Sequence, residues 1–272
     1  AKQNDKPLSN TFVRRVHAVL QAALKQAVKE RLIPYNPCEN CRIPPKDKKE
    51  MTILPPEKIG RYLQEAEKYG VLPMFYLELS SGLRRGELLA LQWTDLNVKE
   101  RILTVNKQVT RMEGELDVTE PKTKNSVRKV ALSQQAVDLL VQEHEQHPDN
   151  PILFPSPRTG GYWSPDAVSR INRKLLKTAG IEEHVRFHDL RHTFATMAIS
   201  SGVDVKTLSS MLGHYSAGFT LDTYTHITND MQRGAAEKIG GFMESATATT
   251  TPEPPDPPEE SRCKVIPFEK VG

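Results

Sequence analysis

Two short stretches of alternating hydrophobicity, 102–109 and 127–132, interrupt a chain whose apolar residues otherwise recur at three- and four-residue steps. Alternation sends successive side chains to opposite faces of a strand, whereas the longer step gathers them on one helix face. The pattern therefore reads as helices, then a small antiparallel sheet, then helices: a mainly α fold of the α+β class. Gly114 and the polar run 120–126 lie between the two alternating stretches, so the strands are joined by an exposed, lysine-bearing turn.

Helical spacing is clear upstream over 10–32, where Val13, Val16, Leu20, Ala23, Leu24, Ala27 and Leu32 form one stripe. A lone helix of this length cannot bury its own stripe, so residues 1–43 read as the last part of a helical domain whose earlier helices are absent. The proline- and lysine-containing segment 44–53 reads as a linker. A second domain, 54–243, then opens with helical patterns over 56–69, 71–81 and 85–92. After the strands, Ser133 can cap a helix through about His144, and Ser164-Pro165 starts another through about Thr178. A helix bearing His188 stops near Gly202. Asp204 can cap a short helix ending at Gly213, and Asn229 a last one ending near Ile239. From 244 to 272 the chain is acidic and rich in Thr and Pro, a composition that cannot offset the entropy of ordering by burial. A flexible tail is expected, and its apolar patch at Val265, Ile266 and Phe268 is a possible contact for a neighbouring molecule.

The 272 residues, 38% of them apolar, are enough for at least one buried core. No apolar run approaches the roughly 20 residues that span a bilayer, and no signal peptide is evident, so a cytosolic location is expected. The formal charge of +3 is unevenly spread. From Glu244 onward there are three basic and six acidic side chains, which leaves +6 on the remainder. Residues 1–50 alone carry eleven basic against five acidic groups. The folded part is thus basic, as a phosphate-binding surface requires. Arg14, Arg15, Lys25 and Lys29 on the first helix are candidates for contact with a DNA backbone. The three cysteines, Cys38, Cys41 and Cys263, cannot form an even disulfide framework. Zinc would need two more ligands near the Cys38-x-x-Cys41 pair, and the sequence offers none at similar spacing, so ordinary thiols and no bound metal are expected.

His188 and Arg191 stand three residues apart, on one helix face, where imidazole and guanidinium can converge on an oxyanion. Tyr224 follows His214 downstream. Breaking a phosphodiester without a metal takes a nucleophile, cations on the non-bridging oxygens, and an acid for the departing 5′ oxygen. Tyr224 fits the first role. For the second, an arginine in the glycine-marked turn Gly82-Leu83-Arg84-Arg85-Gly86-Glu87-Leu88 opens a helix, where anions are favoured. Arg84 and Arg85 point to different sides and spacing does not choose between them, though Glu87 is placed to hold Arg84. For the third, Lys122 is the candidate on the turn and Lys124 its rival. His192 is read as structural. No Walker loop and no carboxylate cluster suited to magnesium is present.

Three blocks, Gly82 to Leu88, His188-Asp189-Leu190-Arg191-His192-Thr193-Phe194-Ala195-Thr196, and Leu212-Gly213-His214 through Tyr224-Thr225-His226, resemble in order and spacing the signature of tyrosine recombinases, the phage integrase family. The resemblance covers about 54–243, and residues 1–43 look like the end of that family's core-binding domain. The Thr220-Leu221-Asp222-Thr223-Tyr224 wording is most similar to integrases of conjugative transposons. The resemblance implies a site-specific DNA recombinase acting in integration and excision, with Tyr224 as the nucleophile that forms a 3′-phosphotyrosyl link and needs no cofactor. It selects Arg84 over Arg85 and Lys122 over Lys124. Arg84 and Arg191 would stabilise the phosphorane, Lys122 protonate the 5′ oxygen, His188 assist proton transfer, His214 bond the phosphate, and Glu87 buttress the site. It further implies double-stranded DNA at element ends and target, a tetrameric synapse, an excisionase as possible partner, and a bacterial, nucleoid-associated setting.

Overall fold

A computed structural model of the chain describes residues 8–46, 51–112, 114–119, 127–213, 218, 220–221 and 236–245. Helix α1 (Asn10–Lys29) starts where the Ser9 hydroxyl accepts the Phe12 amide at 3.2 Å. None of its residues is fully buried. Its half-covered face, which includes Val13, His17, Gln21 and Leu24, lies toward the turn that follows. There Asn36, itself buried, donates to the Gln21 carbonyl and accepts from the Cys38 amide. Phe12, Val16, Val19 and Leu20 remain exposed, so the sequence stripe is only partly covered. The two cysteines do have a third potential ligand nearby, contrary to the sequence reading, because α1 brings His17 against them.

The rest of the described chain is built around α3 (Leu72–Ser81), six of whose ten residues are buried. It packs against α2 (Ile59–Lys68), α5 (Gln134–Glu145) and α7 (Phe187–Ser200), and α6 (Pro165–Thr178) lies against α2 and α7. Phe75 meets Tyr62 and Phe187 edge-on at 5.8 and 5.7 Å between ring centres, an arrangement that aromatic quadrupoles favour. One polar group carried into this layer is satisfied there: the Tyr62 hydroxyl donates to Asn172, whose amide donates to the Val185 carbonyl. Leu54 is fully buried and its amide donates to Thr193, so chain just beyond the proline-rich segment is already fixed to α7. A smaller cluster of Phe194, Ala195, Ile199, Leu208 and Leu212 seats α8 (Val205–Leu212) on the end of α7. Among the described residues no helix is long and apolar enough to cross a membrane.

The expected single sheet is two. Strands β1 (Leu96–Asn97), β2 (Ile102–Val105) and β5 (Arg128–Ala131) form an antiparallel sheet in the order β1-β2-β5, while among the described residues β3 (Gln108–Met112) pairs with β4 (Glu115–Thr119) alone. The alternating run 102–109 is thus divided at Asn106-Lys107. Its phase survives the break, since Leu103, Val105 and Val109 are all buried, which is why alternation did not reveal it. Lys107 leaves the ladder to reach Asp95 at 2.8 Å and Gln92 at 3.1 Å. Short helix α4 (Arg85–Ala90) closes on β3, where a Cβ on Gly86 would stand 2.8 Å from the Val109 carbonyl oxygen.

Two of the expected caps hold through side-chain bonds: Ser133 accepts from Ala136 and Asp204 from Thr207. Ser164 stands at the start of α6 but makes no capping bond, leaving Pro165 as the start signal. Residues 236–245 are helical, so the last helix runs past the expected end at Ile239. Its cap Asn229, the patch Val265 to Phe268 and Cys263 lie outside the described residues.

Candidate active site

Two helices end on glycine, and their last carbonyls meet three arginines. Gly82 terminates α3 at φ 60° and Gly213 terminates α8 at φ 63°, the left-handed cap that glycine adopts without penalty. Arg191, from α7, donates to the Gly82 carbonyl and to the Leu212 carbonyl, each at 2.7 Å. Arg84 donates to the Gly213 carbonyl at 3.0 Å and to Glu87 at 2.7 Å. Arg128, from β5, donates to the Met211 carbonyl at 2.7 Å and grips both Glu87 oxygens at 3.1 and 2.8 Å. Helix C-termini carry partial negative charge, so the two caps hold guanidinium groups that would otherwise repel one another.

Charge within the cluster does not cancel. Burial alone would push Glu87 up, but the hydrogen bonds and charge of Arg128, and then Arg84, hold it below the usual carboxylate range. Glu78, nearby on α3, is fully buried and neither oxygen is hydrogen-bonded among the described residues, and burial pushes its carboxyl well above the usual range, which favours its neutral form. Among the described residues, the Glu87 carboxylate is thus bonded by two guanidiniums and faces a third, Arg191. Burial, followed by the proximity of Arg84, pushes Arg191 down to about 10, which still leaves it charged at neutral pH. A guanidinium has five N–H donors, and Arg191 spends two on the carbonyls. Arg84 keeps 38% of its side chain exposed. Among the described residues, these bonds leave N–H groups of both guanidiniums over.

His188 is exposed on α7, yet desolvation of its ring by the surrounding atoms, then Arg191, holds it below the ordinary imidazole value. Its ring meets that of His192 edge-on at 5.2 Å, so His192 shares its face. Burial, then His188, push His192 down to about 4. Both rings are neutral at pH 7, so His188 is able to accept a proton there. A base with a depressed folded pKa makes the unfolded chain bind more protons. Stability contributed by His192 is therefore full above about pH 6.5 and falls as pH drops toward 4. After allowance for partial exposure the loss should be about 1–2 kcal/mol. Thermal melts of wild type and His192→Asn between those limits check this, with the variant expected to show the shallower decline.

The structure thus brings Arg84, Glu87, His188 and Arg191 together. It sends Arg85 elsewhere, to the Pro165 carbonyl and the Ser169 hydroxyl of α6, and so separates two neighbours that spacing left open. Lys122, Lys124, His214 and Tyr224 lie outside the described residues, although Gly213, which directly precedes His214, is held by Arg84. Of the candidate backbone contacts, Arg15, Lys25 and Lys29 are exposed, while Arg14 donates to the Pro44 carbonyl at 2.8 Å. Arg128 was missed. Its signal lay in the alternation, since Arg128 and Val130 share the inward face of β5 and Leu132, just past its end, is buried in the same phase, and an arginine in phase with core residues calls for a buried partner. Beside His188 opens a cleft of about 570 Å³ whose lining includes Arg85, Arg173, His184 and Arg186, a basic approach to the cluster.

The model of the phage integrase family matches residues 53–231, a span that contains every member of this cluster. The chain belongs to the phage integrase family. It is a tyrosine-type site-specific recombinase. The integrase is 31% identical over 249 residues to the ICEBs1 integrase of Bacillus subtilis (strain 168), a match covering 87% of this chain and 67% of that protein. It is 28% identical over 263 residues to a XerC-like tyrosine recombinase of Caldanaerobacter subterraneus subsp. tengcongensis, covering 86% and 67%. In fold it is similar to the Tn1549 transposon integrase in complex with a circular intermediate DNA, with a TM-score of 0.75, 22% identity, and coverage of 86% of this chain and 81% of that one. The lambda integrase tetramer bound to a Holliday junction is more distant, at a TM-score of 0.55 and 22% identity over 74% and 58% of the two chains. The integrase therefore resembles integrases of conjugative transposons, in line with the wording around Tyr224.

Proposed function

We propose that this integrase cuts and rejoins double-stranded DNA at the ends of a conjugative mobile element and at its target, through a 3′-phosphotyrosyl intermediate on Tyr224. The observation that carries the reading is the cluster of Arg84, Arg128 and Arg191 around the Glu87 carboxylate, with N–H groups of Arg84 and Arg191 left over among the described residues. A pentacoordinate phosphorane gathers negative charge on its non-bridging oxygens, and cations already fixed in place stabilise that charge without reorganising. In this reading the Tyr224 oxygen attacks phosphorus, the bond to the 5′ oxygen breaks, and Lys122 supplies the proton which that oxygen takes up. Neutral His188 assists removal of the tyrosine proton, His214 donates to the phosphate, and Glu87 keeps Arg84 in position. Attack by a 5′ hydroxyl from the second duplex reverses the step and completes the exchange, with no cofactor consumed.

Arg14, Arg15, Lys25 and Lys29 would follow the DNA backbone from α1, as part of a core-binding region over 1–43 joined by the 44–53 linker to a catalytic domain over 54–243. Four protomers would pair two duplexes, with an excisionase biasing direction, on the bacterial nucleoid, and the 244–272 tail would reach a neighbouring protomer. Covalent trapping tests the central step. The chain is incubated with nicked element-end DNA, denatured and digested, and the DNA-bearing peptide is identified, with Tyr224→Phe as the blank. An adduct on Tyr224 supports the proposal. Tight DNA binding without an adduct, or an adduct on another residue, overturns it.

A further inference from the structure

We propose that His17, Cys38 and Cys41 form a metal site for a thiolate-preferring divalent ion, zinc foremost, that clamps α1 to the turn following it. One ligand atom from each residue lies within 4.8 Å of the other two. Tetrahedral zinc, with bonds of about 2.3 Å to sulfur and 2.0–2.1 Å to nitrogen, sets its ligands roughly 3.5–3.8 Å apart. Closure by about 1 Å is therefore enough, and Cys41, which is exposed, has the freedom to supply it by side-chain rotation. The donor set, one imidazole and two thiols, selects zinc over magnesium or calcium, which prefer oxygen.

The pocket is held in place without the ion. Asn36 bridges the Gln21 carbonyl of α1 and the Cys38 amide at 3.1 and 2.9 Å. Successive turn bonds, Glu39 to Asn36 and Cys41 to Cys38, fold the segment into a knuckle that keeps the two cysteine side chains together. His17 already touches the knuckle, its Nε2 standing 3.3 Å from the Cys38 carbonyl oxygen. A divalent cation would bind both sulfurs as thiolates, their protons passing to solvent. Three protein ligands leave a fourth position for water. Because α1 buries no residue fully, a coordinate bond from His17 would add much to the few contacts that set its angle.

The experiment uses the full, tag-free chain, reduced and stripped with a chelator in the absence of oxygen, then titrated with Co²⁺ and afterwards with Zn²⁺. The expected result is one Co²⁺ per chain, with a thiolate-to-cobalt charge-transfer band and the visible bands of a tetrahedral ion, and stoichiometric displacement by zinc. Zinc should also protect Cys41 from alkylation. His17→Gln and Cys41→Ser should each weaken binding by more than about 100-fold, since even indirect partners of a metal ligand cost about 10–100-fold. Both replace residues that are not fully buried, and circular dichroism confirms that their helices persist. Absence of the charge-transfer band, or His17→Gln binding cobalt as tightly as wild type, overturns the proposal. So does a reduced chain that takes up no metal and reoxidises to a Cys38–Cys41 disulfide.

Discussion

Strand cleavage should fall by about 10³-fold in Arg191→Ala, measured under single-turnover conditions on a nicked substrate, while the melting temperature changes far less. Loss of one preorganised donor to a developing oxyanion typically costs 10²–10³-fold, and here the donor also carries charge. Two effects on stability oppose each other. The Gly82 and Leu212 carbonyls lose their partner, at about 1–3 kcal/mol for each group left buried and unsatisfied. Against this, the substitution removes a charge that burial and Arg84 already disfavour, as the depressed value near 10 records. Arg191→Lys keeps the charge but cannot span two carbonyls and a phosphate together, so it should fall between wild type and alanine. Cleavage by Arg191→Ala within tenfold of wild type would remove Arg191 from the reaction.

Glu87→Ala should act the other way round, with stability suffering first. Arg128 has 6% of its side chain exposed and directs two guanidinium nitrogens at Glu87. Removing one partner of a buried ion pair leaves an uncompensated charge and costs about 3–5 kcal/mol, which in a domain of this size lowers the melting temperature by about 10 °C. Replacing both partners, Glu87→Leu with Arg128→Met, should recover most of that loss, because the pair's attraction is largely offset by its desolvation. Cleavage should not recover. Arg84 would have lost the carboxylate that fixes it, and a displacement near 1 Å at a reacting centre costs about 10²-fold. A double variant with wild-type cleavage would show that Glu87 only balances Arg128.

What could be read from the chain followed from how local each signal is. The start of α5 and of α8 was legible because Ser133 and Asp204 cap through side-chain bonds spanning three residues. The division between β2 and β3 was hidden because Lys107 leaves the ladder without shifting the alternation. Strand β4 is exposed along most of its length, so its alternating Leu116 and Val118 gave no hint of a buried face. In the site, Arg84, Glu87, His188 and Arg191, which block order and helix spacing singled out, stand near one another. Arg128 was not, since its tie to Glu87 spans 41 residues and only its inward phase on β5 marked it. His17 was invisible beside the cysteines for the same reason: 21 residues and a helix reversal separate it from Cys38.

The grip of Arg84 on the Gly213 carbonyl joins residues 129 positions apart, and this imposes an order of events during synthesis. A nascent chain that has emerged as far as α4 already displays Arg84, yet the groups that aim it have not been made. Arg191 likewise lacks one of its two supports until the end of α8 has docked. An unfinished chain can cling to phosphate but cannot present its arginines in the poised arrangement, so the capacity to cut is withheld until the later helices have folded onto the earlier ones. For a recombinase, this is a safeguard written into the topology.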